Sequence, residues 1–247
     1  MTLFPEIFPP FFEHSLLGKA REKNLVSFEA VQIRDFSLDK HRTVDDTPYG
    51  GGEGMILRAD VLHRAWQSVV HRFEPAFDEV NEATGEILVP NLGRPAKPCH
   101  TILMSPQGKP LTQARVKELA RLPRLVVVCG HYEGLDERFI EECVDEEISV
   151  GDFVLTGGEI PAMALADAVT RVQPGVVGNA RSLSEETFED DLLKYPQFTR
   201  PADFLSRSVP EVLTSGDHGK IASWRQLQRE ERTQRKRPDL WERRRLR

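Results

Sequence analysis

The chain has 247 residues, of which 39% are hydrophobic and 29% charged, and its net charge is −6. That composition suits one or two soluble domains with a real core and excludes a low-complexity chain. No apolar run reaches the roughly 20 residues of a membrane span, no basic-then-apolar leader opens the sequence, and Cys99, Cys129 and Cys143 are too few and wrongly spaced for a disulfide framework or a zinc site. Reduced thiols of this kind fit a cytoplasmic protein.

Met1 to Phe12, MTLFPEIFPPFF, has hardly any strand before Phe4-Pro5. Leu16 to Leu25 has helical spacing, and the alternation of Val26 to Ile33 predicts a strand. Next comes RTVDDTPYGGGEGM, Arg42 to Met55. Its glycines make a loop without the spacing or the lysine of a phosphate-binding P-loop. Arg42, Asp45 and Asp46 either grip RNA and position this loop or pair with one another on the surface. Leu57 to Val70 predicts a helix with Leu62, Trp66, Val69 and Val70 inward. Phe73 to Cys99 is polar, contains Pro and Gly, and reads as a surface insertion with a hairpin near Ala83-Thr84-Gly85.

Thr101 to Met104 predicts a short strand, and Ser105-Pro106-Gln107-Gly108 a turn. Thr112 is a helix cap for the residues through Leu119. Leu125 to Val128 reads as a strand buried on both faces of a parallel sheet. It runs into CGHYEGLDER, Cys129 to Arg138. Ser149 to Leu155 predicts a third, mostly buried strand, broken by Thr156, Gly157 and Gly158. Glu159 to Arg171 then turns helical and apolar nearly all round, as for a helix buried in the core or against another subunit. Strand ends gathered along one edge are where open α/β sheets bind ligands.

The stretch Gly178 to Glu186 predicts a mobile polar linker, and the chain from Thr187 a helical second domain. From Gly219 onward eleven Lys/Arg face four Asp/Glu, a local balance of +7 that leaves −13 for the remainder. A basic segment on an acidic body points to a polyanion partner, nucleic acid first. His218 to Arg235 is amphipathic, with Ile221, Trp224 and Leu227 expected inward and Arg225, Arg229 and Arg232 expected outward as grips on a nucleic-acid backbone.

Six stretches occur together and in order: LFPEIF at Leu3, HRTVDDTPYGGGEGM at His41, MSPQG at Met104, CGHYEGLDER at Cys129, DEEISVGDFVLTGGEIPAM at Asp145 and YPQFTRP at Tyr195. The chain resembles the bacterial tRNA (guanine-N1-)-methyltransferase family over nearly its whole length. The resemblance implies the SPOUT class: an α/β parallel sheet with a C-terminal trefoil knot over residues 1–177, then the linker 178–186 and a small, mainly helical tRNA-binding domain over 187–247. It implies a homodimer that binds S-adenosylmethionine in the knot loops and methylates N1 of guanine 37, next to the anticodon, in the tRNA anticodon stem-loop. Topology rules alone would not suggest a knot.

By resemblance, the methyl donor lies against Leu103, Met104 and Pro106, against Gly130, Tyr132 and Glu133, and against Ser149, Val150, Gly151, Asp152, Phe153, Val154 and Leu155 with Gly157 and Gly158. Glu133 either meets the ligand's cationic end or a metal, or pairs with Arg138 on the surface; magnesium is a candidate aid to catalysis, with no metal ligand assigned. The Gly157-Gly158 turn is expected to leave no room for side chains beside the ligand, so that Gly158→Val abolishes donor binding in a protein that stays folded. Arg171 matches the family arginine that stabilises charge on guanine O6, a task suited to a permanent cation. Its alternative is an i,i+4 pair with Asp167. The proton acceptor falls on Glu186, where the family has aspartate; Glu185 and Asp190 keep that assignment open. An unshifted carboxylate is too weak a base for guanine N1, so burial must raise its pKa or stabilisation at O6 must act in concert. Arg42, Asp46 and Tyr49, with Arg225, Arg229 and Arg232, complete the expected RNA contacts. Phe153 stands where the family often has tyrosine, and Lys194 replaces a common acidic residue. The chain starts just before LFPE, where the family has a first strand; either that strand is short here or the start is late. The competing readings are an RNA-binding protein that lost its base and a SPOUT enzyme acting on another RNA atom.

Overall fold

The computed structural model describes residues 1–73, 99–178, 187–188 and 190–246. The expected hairpin at Ala83-Thr84-Gly85, most of the insertion and linker, and both Glu185 and Glu186 lie outside them. The chain divides into two compact units, Met1–Val177 and Gly178–Arg247.

In the first unit a 3-10 turn, Pro5–Ile7, leads into α1 (Phe8–Phe12) and α2 (Ser15–Glu22). A small antiparallel pair, β1 (Asp45–Asp46) and β2 (Ile56–Leu57), precedes α3 (Ala59–Val70). Then come β3 (His100–Pro110), α4 (Gln113–Leu119), β4 (Leu125–Cys129), α5 (Glu137–Cys143), β5 (Glu146–Ser149) and α6 (Glu159–Arg171). Local chemistry fixes several starts. Thr112 Oγ1 accepts the Arg115 N–H at 3.2 Å, and an Asp136 carboxylate oxygen accepts the Arg138 N–H at 3.0 Å, so α4 and α5 are both capped.

The sheet is parallel, in the order β4–β3–β5. Its strands are covered on both faces, as their β-branched and apolar runs require. Leu103, Val126 and Val128 pack to one side with Leu62, Ala65, Phe139 and Cys143 of α3 and α5. Ile102, Met104, Cys129 and Ile148 pack to the other with Phe8, Phe12, Leu119, Ala162 and Leu165. The period-2 alternation along β3 thus feeds two separate cores. Met104 and Lys109 both stand opposite Ile148, so the residues between them bulge out of the ladder. The expected Ser105–Gly108 turn is this excursion within a longer strand.

Two expected strands take other forms. Val26 to Ile33 contributes one parallel bridge, Gln32 to Thr2, and Ile33 opens a 3-10 turn through Phe36. The alternation there reflects packing: Phe28 stacks on Phe12 at 4.0 Å between ring centroids, and Val31 and Ile33 are buried. Residues 1–3 run between that bridge and β4. The Thr2 N–H donates to Val31 O, the Ile33 N–H to Thr2 O and the Cys129 N–H to Met1 O, each at 2.9–3.0 Å. The predicted strand Ser149 to Leu155 is instead β5, ending at Ser149, followed by a loop. Ser149 Oγ donates to Gly151 O at 2.9 Å and the Phe153 N–H donates to the same carbonyl at 2.9 Å, which turns the chain off the sheet. Phe153, Val154 and Leu155 are 56%, 84% and 38% exposed, where burial was expected.

The second unit contains a hairpin that sequence reading missed, β6 (Asp203–Phe204) with β7 (Arg207–Ser208), then α7 (Glu211–Thr214), α8 (His218–Lys236) and α9 (Pro238–Arg245). Leu192, Thr233 and Leu240 form its buried interior. Thr233 Oγ1 donates to Arg229 O at 2.7 Å and accepts the Leu193 N–H at 2.8 Å, which ties α8 to the segment before the hairpin. The inward face of α8 differs from the expected one. Leu227 is 52% exposed, whereas Arg229 and Arg232 turn inward, each with a buried Nε that makes no hydrogen bond. At about 100° per residue, Leu227 lies about 120° from Ile221 and Arg232 only about 20° from it. Among the described residues no helix is long and apolar enough to cross a membrane.

Candidate active site

The C-terminal ends of β4 and β5 and the bulge within β3 open onto one cavity of about 300 Å³. Three segments line it: Leu103 to Gln107, Gly130 to Leu135, and Glu147 to Gly158 without Asp152. Every residue expected to meet the methyl donor is therefore on its wall except Asp152, which is exposed. The volume sits at the lower end of the roughly 300–1,000 Å³ typical of small-molecule sites. Four of the lining residues are exposed and largely apolar: Tyr132, Phe153, Val154 and Leu155. Gln107, His131, Leu135, Glu137, Ile140 and Pro161 also line the cavity and were not anticipated.

The glycine-rich segment lies against one side of this site. The Glu133 N–H donates to Met55 O and the Leu57 N–H to Gly134 O, both at 3.0 Å. Gly54, at φ +86°, approaches so closely that an added Cβ would sit 2.4 Å from Glu133 Cγ. Arg138 pairs with Asp136 at 2.6 Å, so the surface pair once open to Glu133 is taken by another carboxylate. Arg42 pairs with Asp35 rather than with Asp45 or Asp46, Asp46 accepts the Thr47 N–H at 2.8 Å, and Tyr49 is 98% exposed.

The Gly157-Gly158 turn has a different cause from the expected one. Gly158 has φ −81°, an ordinary helical value, so no left-handed backbone is needed. An added Cβ would lie 2.7 Å from Cys129 Cα and 2.8 Å from Gly130 N, against protein backbone. The Gly158 N–H donates to Gly130 O at 2.9 Å. Gly157 is constrained by its neighbours' side chains, since its Cβ would lie 2.4 Å from His131 Nε2 and 2.6 Å from Glu159 Oε2. Those two atoms are 2.8 Å apart, and Glu159 Oε1 accepts the Thr2 hydroxyl at 2.6 Å. Beneath them burial pushes the Cys129 thiol up to about 12. Sequence reading missed Thr2, His131 and Glu159; an acidic residue opening a helix looks like ordinary dipole complementation.

Arg171 closes α6, about 18 Å along the helix from Glu159, and does not line the cavity. Glu186 and Glu185 are outside the described residues. Asp190 is inside them, and its side chain pairs with Arg229 while Arg244 Nη1 donates to its carbonyl at 2.7 Å. A carboxylate held this way is a structural tie of the second unit. Arg225 is exposed, with its guanidinium 4.7 Å from the Tyr195 ring centroid. Among the described residues no three His, Cys, Asp or Glu side chains are grouped to hold a metal ion. A larger cavity of about 760 Å³ lies between Asn24–Val31 and Leu119–Val127, and none of the expected donor, base or RNA-contact residues lines it.

The family profile described as tRNA (Guanine-1)-methyltransferase TrmD matches residues 1–243. Curated relatives bear it out. The tRNA (guanine-N(1)-)-methyltransferase of Mesorhizobium japonicum is 52% identical over 97% of this chain and 94% of its own. That of Novosphingobium aromaticivorans is 50% identical, with 98% and 89% covered, and that of Ruminiclostridium cellulolyticum 47%, with 98% and 94% covered. With six motifs in order, three of them meeting at one cavity, and relatives matched over nearly their full lengths, the chain belongs to the TrmD family of tRNA (guanine-N1)-methyltransferases.

Proposed function

We propose that this protein transfers the methyl group of S-adenosylmethionine to N1 of guanine 37, 3′ of the anticodon, in tRNA, and that it does so as a cytoplasmic homodimer of the SPOUT class with a trefoil knot. The observation that carries the reading is the convergence of the MSPQG, CGHYEG and SVGDFVLTGG segments on one cavity. Its residues suit the donor. Main-chain groups of the loop after β5 can read an adenine edge, the apolar lining residues can take its face, and the Glu133 carboxylate can meet the cationic end.

The chain's own residues then have two tasks. Glu186 accepts the proton from guanine N1. The N1 lone pair attacks the methyl carbon, the C–S bond breaks, and the sulfur leaves as a neutral thioether. Arg171 stabilises the negative charge that deprotonation puts on O6. The linker carboxylate is contributed by the second copy. Magnesium receives no step. Arg225 and the surface around Arg42, Asp46 and Tyr49 hold the RNA.

The test is nucleoside mass spectrometry on tRNA transcripts treated with purified protein and donor. 1-Methylguanosine should form on a transcript with G37 and not on one carrying A37; equal methylation of both, or none, overturns the reading. Glu186→Gln and Arg171→Ala should each be inactive yet bind donor, and subunit exchange between them should restore activity. Inactive variants that recover nothing after verified exchange would place both residues on one chain.

A further inference from the structure

We infer that Glu159 is a positioning residue: through Thr2 and His131 its carboxylate fixes the separation of two loops of the donor cavity and so sets donor affinity. The inference rests on reading that cavity as the S-adenosylmethionine site.

Glu159 is 5% exposed. A buried carboxylate is costly unless its oxygens are bonded. Here both are, one by the Thr2 hydroxyl at 2.6 Å and one by the His131 imidazole at 2.8 Å. Glu159 is also the first residue of α6, where the helix dipole favours a negative charge. Its two partners come from distant parts of the sequence. Thr2 belongs to the row beside β4, and His131 to the loop that leaves β4. Glu159 itself follows the loop that leaves β5. The carboxylate therefore joins the two loops facing each other across the cavity, next to the Gly158 N–H bond to Gly130 O at 2.9 Å.

The volume between the loops is reserved for this contact. A Cβ on Gly157 would lie 2.4 Å from His131 Nε2, so the pair fills the space a side chain would need. The His131 ring is propped from behind by Phe4, with centroids 5.0 Å apart. His131 lines the cavity and Glu159 does not, so Glu159 acts through its neighbour rather than on the donor. A buried ionisable group is often no more stabilising than an apolar one of the same shape. Its use here is the geometry it imposes.

The experiment compares wild type with Glu159→Gln, which keeps the shape and the hydroxyl acceptor but removes the charge. Calorimetry with S-adenosylmethionine, methyl-transfer kinetics and amide hydrogen exchange are measured on the full chain. Donor Kd and KM should rise tenfold or more, with kcat at saturating donor and tRNA affinity within twofold of wild type. Exchange should quicken in residues 130–135 and 153–158 and not elsewhere in the sheet. A lower melting point with donor Kd within twofold, or faster exchange throughout the unit, overturns the inference. If Glu159→Gln fails to fold, Thr2→Val, which removes one donor to the carboxylate at a residue off the cavity wall, is held to the same outcomes. If wild type itself takes no donor, the functional reading fails, and exchange alone decides: quickening confined to the two loops supports the clamp, and its absence overturns it.

Discussion

Gly158→Ala is the smallest change that tests how the cavity is built. The added methyl would start 2.7 Å from Cys129 Cα, 2.8 Å from Gly130 N and 3.1 Å from Cys129 C. These are backbone atoms of β4 and its loop and cannot rotate away. Forcing one carbon into a filled site costs about 1–3 kcal/mol. Moving α6 outward to relieve it also stretches the Gly158 N–H bond to Gly130 O, worth about 1 kcal/mol. The sum is about 2–4 kcal/mol. For a unit of this size each kcal/mol lowers the melting point by about 2–4 °C, so the drop is on the order of 4–16 °C. Scanning calorimetry measures it, with donor titration in parallel. Gly158→Val should therefore fail to fold well, in contrast to the expectation from sequence that it would merely exclude ligand. A Gly158→Ala protein that melts within about 1 °C of wild type would refute the packing argument, because a loss of roughly 2 kcal/mol cannot hide in so small a shift.

Three further outcomes follow from the charges. Arg225→Ala should weaken tRNA binding and reduce the slope of log K against log salt by about 0.9, as for one lost phosphate contact. Arg229→Ala should instead cost the second unit roughly 2 kcal/mol in a denaturant melt, because it removes a partner of Asp190; a reversal of the two effects would return Arg229 to the RNA face. Glu146 titrates against burial, which pulls its carboxyl up, but hydrogen bonds from Arg115 and His100 more than offset that and hold it below 4.5. Its folded pKa being depressed, this stabilisation is present above 4.5 and disappears as pH falls through the lower folded value. Arg115→Met should flatten the acid side of the stability profile as pH falls below the ordinary glutamate range, and an unchanged profile would remove the pair from the account.

What was legible in the chain was local. The β-branched run of β4, the Thr112 cap and the long apolar α6 are written within a few residues, and each formed as expected. The apolar run after Ser149 obeyed the same statistics and misled, because Ser149 and Gly151 turn the backbone away before a ladder can form. The hairpin at Asp203–Ser208 was invisible because its turn residues, Leu205 and Ser206, adopt φ +48° and +60° without the Asn-Gly signal that usually marks such turns. The face of α8 was misread by weighting Leu227 over the angular position of Arg232. The cavity wall could be found through motif resemblance, whereas the Thr2–Glu159–His131 contact joins residues up to 157 positions apart and exists only in three dimensions.

That same separation sets an order of events in synthesis. Residues 1–3 occupy a row whose neighbours are Val31, Gln32 and Ile33 on one side and Val127 to Cys129 on the other. One side can close early. The other must wait until β4 and then Glu159 have left the ribosome, roughly 8–30 s after Thr2 at bacterial elongation rates of about 5–20 residues per second. During that interval Met1 and Leu3, both buried in the finished protein, have only the early part of their core, Val31, Ile33, Val44 and the residues of α3, to pack against. Contacts this distant in sequence also slow the final assembly step. This apolar segment is therefore an early client for whatever shields apolar chain at the ribosome exit, and the contact of Thr2 with Glu159 is among the last parts of the first unit to take shape.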